Sequence, residues 1–266
     1  MPNKTIKIIF FGDVVGSLGR TAIKEMAPIW QKKYAPDLMI ANIENLAHGK
    51  GLTLRTLRDI SEIGIKLFTG GNHMWAKFDL ADLDKEGDYA IAAPANDSRT
   101  PSSMRYHSIN INNQEIIFIN LTGRTFIEDD NLSNPFHQVD RLLAEMSPDA
   151  IKLVDMHAEA TSEKKAMGYY LDGKISAMVG THTHVPTADS EILPGGTGYI
   201  TDIGMVGPYP SVLGIKTNII IDKFLKEEHI KHELPDSGQI ELNAVLLEID
   251  NNTHKTTKIK LLREIL

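Results

Sequence analysis

The sequence contains no cysteine. Disulfides, Cys-ligated zinc, iron–sulfur clusters and thiol nucleophiles are therefore excluded, and any metal must be held by His, Asp, Glu, Asn or backbone oxygen. No apolar run approaches the ~20 residues that a membrane span needs. Basic charge is not in excess: the formal net charge is -7, whereas a broad footprint on duplex nucleic acid takes a basic face. Internal repeats and low-complexity linkers are also lacking. What is present is ordinary globular composition over 266 residues, 42% hydrophobic and 24% charged, enough to bury a sizeable core. The opening stretch through Gly16 has one short apolar run, no small-residue cleavage site and a Gly-Asp ending. It reads as a first buried strand, not a signal peptide, and a cytoplasmic protein without membrane attachment is expected.

Apolar runs alternate with amphipathic stretches. Strands are expected at Ile6–Phe11, Leu38–Ile43, Lys66–Thr69, Tyr89–Ala92, Ser108–Ile111, Glu115–Asn120, Ile151–Met156, Ala177–Val179, Gly198–Thr201, Thr217–Asp222 and Ala244–Ile249. Several are continuously apolar, as strands buried on both faces are. Helices are expected at Arg20–Tyr34, Leu54–Ile63, Pro135–Met146 and Ser162–Leu171, the first kinked or shortened by Pro28. Lys226–Gln239 reads as a loop, and Asn251-Asn252 as the turn of a final hairpin. The order fits a layered α/β fold with a mixed sheet, or two sheets packed together and flanked by helices.

Five of these strands run straight into metal-ligand residue types: Asp13 after Ile8–Phe11, Glu44-Asn45 after Leu38–Ile43, Asn72-His73 after Leu67–Thr69, His157 after Leu153–Met156, and His182-x-His184 after Met178-Val179. Ligands bind at the carboxyl ends of strands in open α/β sheets. Alone, each residue has a bland reading as a turn, cap or structural histidine. The spacing of His182 and His184 lets both imidazoles point one way from an extended segment, and the coincidence of five such strand ends points to one metal pocket. His107, His137, His229, His232 and His254 lack that setting and read as surface or structural residues; His48 reads as a loop histidine that could line the site mouth.

At these residues the chain resembles the calcineurin-like metallophosphoesterases and, more narrowly, the YmdB-type bacterial phosphodiesterases. The segments FGDVVG, ANIENLAHGKG, TGGNHMW, NLTGR, VDMHAEATSEKKAMG and VGTHTHVPTAD carry the resemblance, in family order across nearly the whole chain. It implies a four-layer metallophosphoesterase sandwich over residues 1–266 as a single domain: two packed mixed sheets flanked by helices. The usual Asp-x-His of the first strand is Asp13-Val14-Val15 here, and Glu44 stands where the wider superfamily has a bridging Asp; both are traits of the narrower branch. By the same resemblance Asp13, Glu44 and His184 hold one metal ion. Glu44, Asn72, His157 and His182 hold the second, with Asn45 beside them as ligand or substrate contact. His73 does not ligate and is placed to touch a phosphate oxygen or the leaving group.

The implied chemistry is attack of a metal-bridging hydroxide on phosphorus, with His73 assisting the leaving group or, on the bland reading, orienting a ligand. Mixed imidazole and oxygen ligation favours iron, manganese, zinc or cobalt over calcium or magnesium, and the resemblance implies two such ions, iron or manganese first. Two such ions outweigh the charges of Asp13 and Glu44, so an acidic protein can bind an anion. The implied substrates are cyclic nucleotides, 2′,3′ or 3′,5′. The alternatives are a phosphomonoesterase (nucleotidase or protein phosphatase) on the same site, and a non-catalytic metal-binding regulatory protein. A homo-oligomer is compatible with either. Arg124 reads equally as a phosphate contact or a surface ion pair. Thr161 reads as a helix N-cap with Lys164 exposed, and Gly195–Gly198 as a turn before a strand.

Overall fold

The computed structural model describes residues 5–65, 67–78 and 89–266, so Lys66 of the expected third strand lies outside the described residues. The strands are β1 (Thr5–Val14), β2 (Leu38–Asn42), β3 (Leu67–Thr69), β4 (Ile91–Ala92), β5 (Tyr106–Ile111), β6 (Gln114–Thr122), β7 (Ile151–His157), β8 (Ala177–Thr181), β9 (Glu191–Ile192), β10 (Gly198–Ile200), β11 (Met205–Tyr209), β12 (Gln239–Asp250) and β13 (Thr256–Ile265). The α-helices are α1 (Gly16–Tyr34), α2 (Leu54–Ser61), α3 (Pro135–Glu145), α4 (Thr161–Leu171) and α5 (Thr217–Lys226).

Two sheets form. One has the order β13-β12-β11-β1-β2-β3-β4, the other β5-β6-β7-β8-β10-β9. Both are mixed: β11, β1, β2, β3 and β4 run parallel, with β12 antiparallel to β1 and β11 and β13 antiparallel to β12; β6, β7, β8 and β10 run parallel, with β5 and β9 antiparallel at the two edges.

The apolar runs explain the layering. Successive side chains of a strand point to opposite faces, and β1 is apolar on both. Ile6, Ile8 and Phe10 pack with Phe118, Leu153 and Val179 of the other sheet. Ile9 and Phe11 turn to α1, where the Phe11 and Trp30 rings stack 5.4 Å apart. On the far side Leu121, Val154 and Met156 meet Val139 and Leu142 of α3 and Met167 of α4. The result is helix, sheet, sheet, helix, the four layers expected. Local chemistry sets the helix starts: the Thr53 side chain accepts the Thr56 N–H and the Thr56 hydroxyl answers at the Thr53 N–H, while Asn134 caps α3 with Pro135 in its first turn.

Four expectations are corrected. Thr217–Asp222 is not a strand but the start of α5; its isoleucines suit a strand, yet the neighbouring β11 is already paired with β1 and β12, and only Ile220 is buried. Of the two outcomes expected for α1 at Pro28, shortening is ruled out, since the helix runs through Pro28 to Tyr34. Thr161 is the first residue of α4 and not its cap, which is Ala160 without a side-chain hydrogen bond. Lys164 is not exposed: it is fully buried, with Nζ 2.7 Å from Asp202 Oδ2. β11 went unread because Gly207 and Pro208 break its pattern. The 227–238 segment is irregular and Gly195–Gly198 turns into β10, as expected.

Candidate metal centre

The carboxyl ends of β1, β2 and β3 in one sheet meet those of β7 and β8 in the other. A shift of register between Phe11 and Asp13 marks a bulge at the end of β1, a device that re-aims a side chain. Asp13 is fully buried. Its Oδ2 accepts the His182 N–H at 3.1 Å, while its Oδ1 has no hydrogen-bond partner. Burial pushes this carboxyl up to about 6, against the pull of the His184 and His157 charges.

Glu44 follows β2. Its Oε1 accepts from Asn45 Nδ2 at 2.8 Å and its Oε2 from the His73 N–H at 3.0 Å. Burial opposes its ionisation, but the neighbouring His157 cation and these donors win, and the carboxyl lies well below the usual carboxylate range. Opposite stands His157, the last residue of β7, fully buried. Its Nε2 lies 3.1 Å from Glu44 Oε2, 3.0 Å from Asn72 Oδ1 and 3.0 Å from His182 Nδ1. Burial would lower the His157 pKa, but Glu44 and Asp13 hold it up at about 9. His182 goes the other way, down to about 3, through burial and the charge of His157. A proton on His157 Nε2 therefore sits among three acceptors at neutral pH. A small cation would find the same surroundings.

Ligand atoms of Glu44, His157 and His182 all lie within 4.8 Å of one another. The tautomers also agree with metal binding. Thr181 Oγ1 donates to Asp155 Oδ1 at 2.7 Å, so it accepts from His157 Nδ1 at 2.9 Å and leaves Nε2 for the pocket. His182 Nε2 faces Glu159 Oε2 at 3.1 Å, and His184 Nδ1 donates to the Leu213 carbonyl at 3.1 Å. Each imidazole thus gives one N–H outward and turns its other nitrogen inward, the arrangement that outer partners impose on metal-binding histidines. Three inward ring nitrogens, the orphaned Asp13 Oδ1, Glu44 and Asn72 Oδ1 form a mixed nitrogen and oxygen donor set that fits divalent transition-metal ions. Gly71 makes the closeness possible: a Cβ there would collide with Glu44 Oε2 and His157 Nε2.

Asn45 stands as a donor, its Nδ2 also 3.3 Å from His184 Nε2. Behind the centre, Asn42 Nδ2 and Thr69 Oγ1 of the first sheet both reach Asp155 Oδ2 of the second, at 3.0 and 2.6 Å, so one buried carboxylate stitches the sheets together beneath the histidines. The His182-Thr183-His184 segment is strained. Its histidines have φ of 98° and 64°, a left-handed backbone that costs a non-glycine residue ~1–3 kcal/mol.

The centre opens into a cleft of about 490 Å³. Glu44, Asn45, His73, His182 and His184 line it together with His48, Lys50, His232, Leu213, Ile215 and Leu234, and Leu234 packs close to Gly49 between His48 and Lys50. Burial, opposed by the Glu44 charge, holds the His73 imidazole below its ordinary pKa. All eight residues singled out in sequence, Asp13, Glu44, Asn45, Asn72, His73, His157, His182 and His184, therefore come together. Arg124 does not join them: it is exposed and lines a separate hollow with Asp129 and Asp130. His232, read as a surface or structural residue, lines the cleft. Glu159 was passed over as part of a helix start. Asp155 carried a usable signal, two residues before His157 on the same strand and hence on the same face.

Comparison with known proteins agrees with this architecture. The model of the family described as YmdB-like protein matches residues 9–262. The chain is 42% identical over 256 residues to the 2′,3′-cyclic-nucleotide 2′-phosphodiesterase of Bacillus subtilis (strain 168), covering 96% of each. A crystal structure described as a novel phosphatase from Mycoplasma pneumoniae superposes with a TM-score of 0.90 at 36% identity, covering 100% of this chain and 95% of that one. That of a hypothetical protein from Thermus thermophilus gives 0.88 at 35%, covering 98% and 99%. By the extent of the family match and by these identities, the chain belongs to the YmdB-like family.

Proposed function

We propose that the protein is a metal-dependent phosphodiesterase acting on 2′,3′-cyclic nucleotides, with a dinuclear centre held by Asp13, Glu44, Asn72, His157, His182 and His184. The observation that carries this reading is the gathering of His157 Nε2, His182 Nδ1 and His184 Nε2 around Glu44 and its partner Asn45, beside an open cleft that Glu44, His182 and His184 line. A purely structural metal site would be closed. The substrate class follows the Bacillus relative, whose name specifies it.

When bound, two divalent ions supply positive charge against the phosphoryl oxygens and bring the pKa of water toward ~7. The chain's own groups do the rest. Glu44 lies between the two ligand sets and is fixed by Asn45 and the His73 N–H. His73, neutral in its buried setting, offers a ring N–H to a phosphoryl oxygen or to the departing ribose oxygen. Lys50 brings positive charge to the cleft lining, and His48 and His232 bring ring nitrogens there, which favours entry of an anion. Leu213, Ile215 and Leu234 give an apolar wall for the nucleoside.

The experiment is a substrate panel on metal-loaded protein: 2′,3′-cyclic AMP, 3′,5′-cyclic AMP, bis-p-nitrophenyl phosphate and p-nitrophenyl phosphate, before and after chelation. Chelator-sensitive turnover of 2′,3′-cyclic AMP to the 3′-monophosphate is expected, with monoesters slower. A fully loaded enzyme that cleaves monoesters but no diester would make it a phosphomonoesterase instead, and one that cleaves neither would favour a regulatory metal protein.

A further inference from the structure

Lys164 sits in the first turn of α4 yet is fully buried, its ammonium 2.7 Å from Asp202 Oδ2, and Asp202 is fully buried as well. Withdrawing two charges from water is costly unless hydrogen bonds satisfy what remains of them. Here those bonds converge on Asp202. Its Oδ2 also accepts the Thr183 N–H at 3.0 Å, and its Oδ1 accepts the Gly204 N–H at 2.8 Å. Thr183 is the residue between His182 and His184. The Gly204 carbonyl accepts the Asp13 N–H at 3.2 Å, and Asp13 Oδ2 accepts the His182 N–H at 3.1 Å. A closed ring of contacts thus runs Asp202, Thr183, His182, Asp13, Gly204 and back.

Left-handed backbone at a non-glycine residue persists only where the surroundings over-determine it. Asp13 holds the backbone of His182 and Asp202 that of Thr183, the residue joining the two histidines, while the His184 ring is held by the Leu213 carbonyl; Lys164 is the cation that makes a buried Asp202 tolerable. Lys164 itself does not line the cleft, and its ammonium bonds to Asp202, not to a metal-ligand side chain. We propose that the buried Lys164–Asp202 pair is the positioning element for Asp13, His182 and His184, and so sets the protein's affinity for its ions. The inference rests on the metal-binding reading of these residues.

The test uses the full chain carrying Lys164→Met, Asp202→Asn, or both. Affinity for Mn²⁺ is read by competition with a chromophoric chelator, and folding by near-ultraviolet circular dichroism and melting of the ion-free protein. Lys164→Met leaves Asp202 as a lone buried charge and loses stability. The double variant carries no charge at the pair and should recover most of that stability. It still cannot recover the anchor, because an amide has one acceptor oxygen for the two backbone N–H groups that Asp202 now holds. In the double variant the Kd of at least one Mn²⁺ should rise about tenfold or more, as losses of such outer partners do elsewhere, whereas values within about threefold of wild type for both ions would make the pair merely structural and overturn the proposal. Wild-type protein that takes up no ion in the same titration would fell the metal reading itself, and the positioning role with it.

Discussion

Gly71 has no side chain at the one place where any side chain would strike both Glu44 Oε2 and His157 Nε2. Gly71→Ala should therefore fold, at an overpacking cost of ~1–3 kcal/mol, while pushing two central groups apart. A displacement of about an ångström can cost about a hundredfold in rate. A loss of that order in kcat, with weaker Mn²⁺ binding by chelator competition, is expected; an unchanged kcat would show that the strand end is looser than the packing indicates. His73 gives a second test, because its proposed contact matters most when the leaving oxygen is basic. His73→Ala should slow 2′,3′-cyclic AMP hydrolysis by ~10²–10⁴-fold and that of bis-p-nitrophenyl phosphate far less, since p-nitrophenolate departs without a proton. Equal losses on both would assign His73 to orienting Glu44 through its neighbourhood.

At the scale of elements, what was legible is what a local pattern can encode. A continuously apolar run ending in a polar residue announces a buried strand and its functional end, which is why Asp13, Glu44, Asn72, His157 and the His182–His184 pair could be found before any contact was known. The 217–222 run failed as a strand because three consecutive isoleucines carry no word about whether a neighbouring strand edge is free. Lys164 failed because Thr-Ser-Glu-Lys-Lys looks like the solvated start of a helix, and its partner Asp202 lies 38 residues away. Asp202 is a hub whose meaning is wholly tertiary, whereas Asp155 shares a strand face with His157 and only its bonds to Asn42 and Thr69 lie beyond the local pattern. Where local chemistry does decide, it decides cheaply: Thr53→Ala removes the reciprocal cap of α2, should cost ~1 kcal/mol, and should lower Tm by roughly 2–4 °C without altering metal affinity. A change in metal affinity would mean that the cap also steers the Gly49–Gly51 loop at the cleft.

At the scale of the molecule, the centre sits on the seam between the two sheets. Asp13, Glu44 and Asn72 follow strands of one, and His157, His182 and His184 strands of the other, so an ion held by the proposed ligands would cross-link the layers. Ligands that bind only the folded state stabilise it by mass action, about 2.7 kcal/mol for one ion at a hundred times its Kd, or roughly 5–10 °C in Tm for a chain of this size. The increment must depend on pH, because His157 holds a proton where an ion would bind. With that pKa at about 9, loading the site at neutral pH expels one proton. Affinity should then rise about tenfold per pH unit and level off above about 9. Below about 6 the Asp13 proton adds a second displacement and steepens the fall. In the ion-free protein the sign is reversed for His157. A raised histidine pKa contributes stability that is fully present below the unfolded value of ~6.5 and is lost as pH climbs through about 9. The two trends cross in one measurement: the Tm difference between Mn²⁺-loaded and chelated protein should widen from about pH 6 to about pH 8.5, with the chelated form losing stability over that range. Calorimetric titration in two buffers of different ionisation enthalpy counts the proton directly. A gap that stays constant with pH, and no proton released, would mean that His157 Nε2 is not where the ion binds.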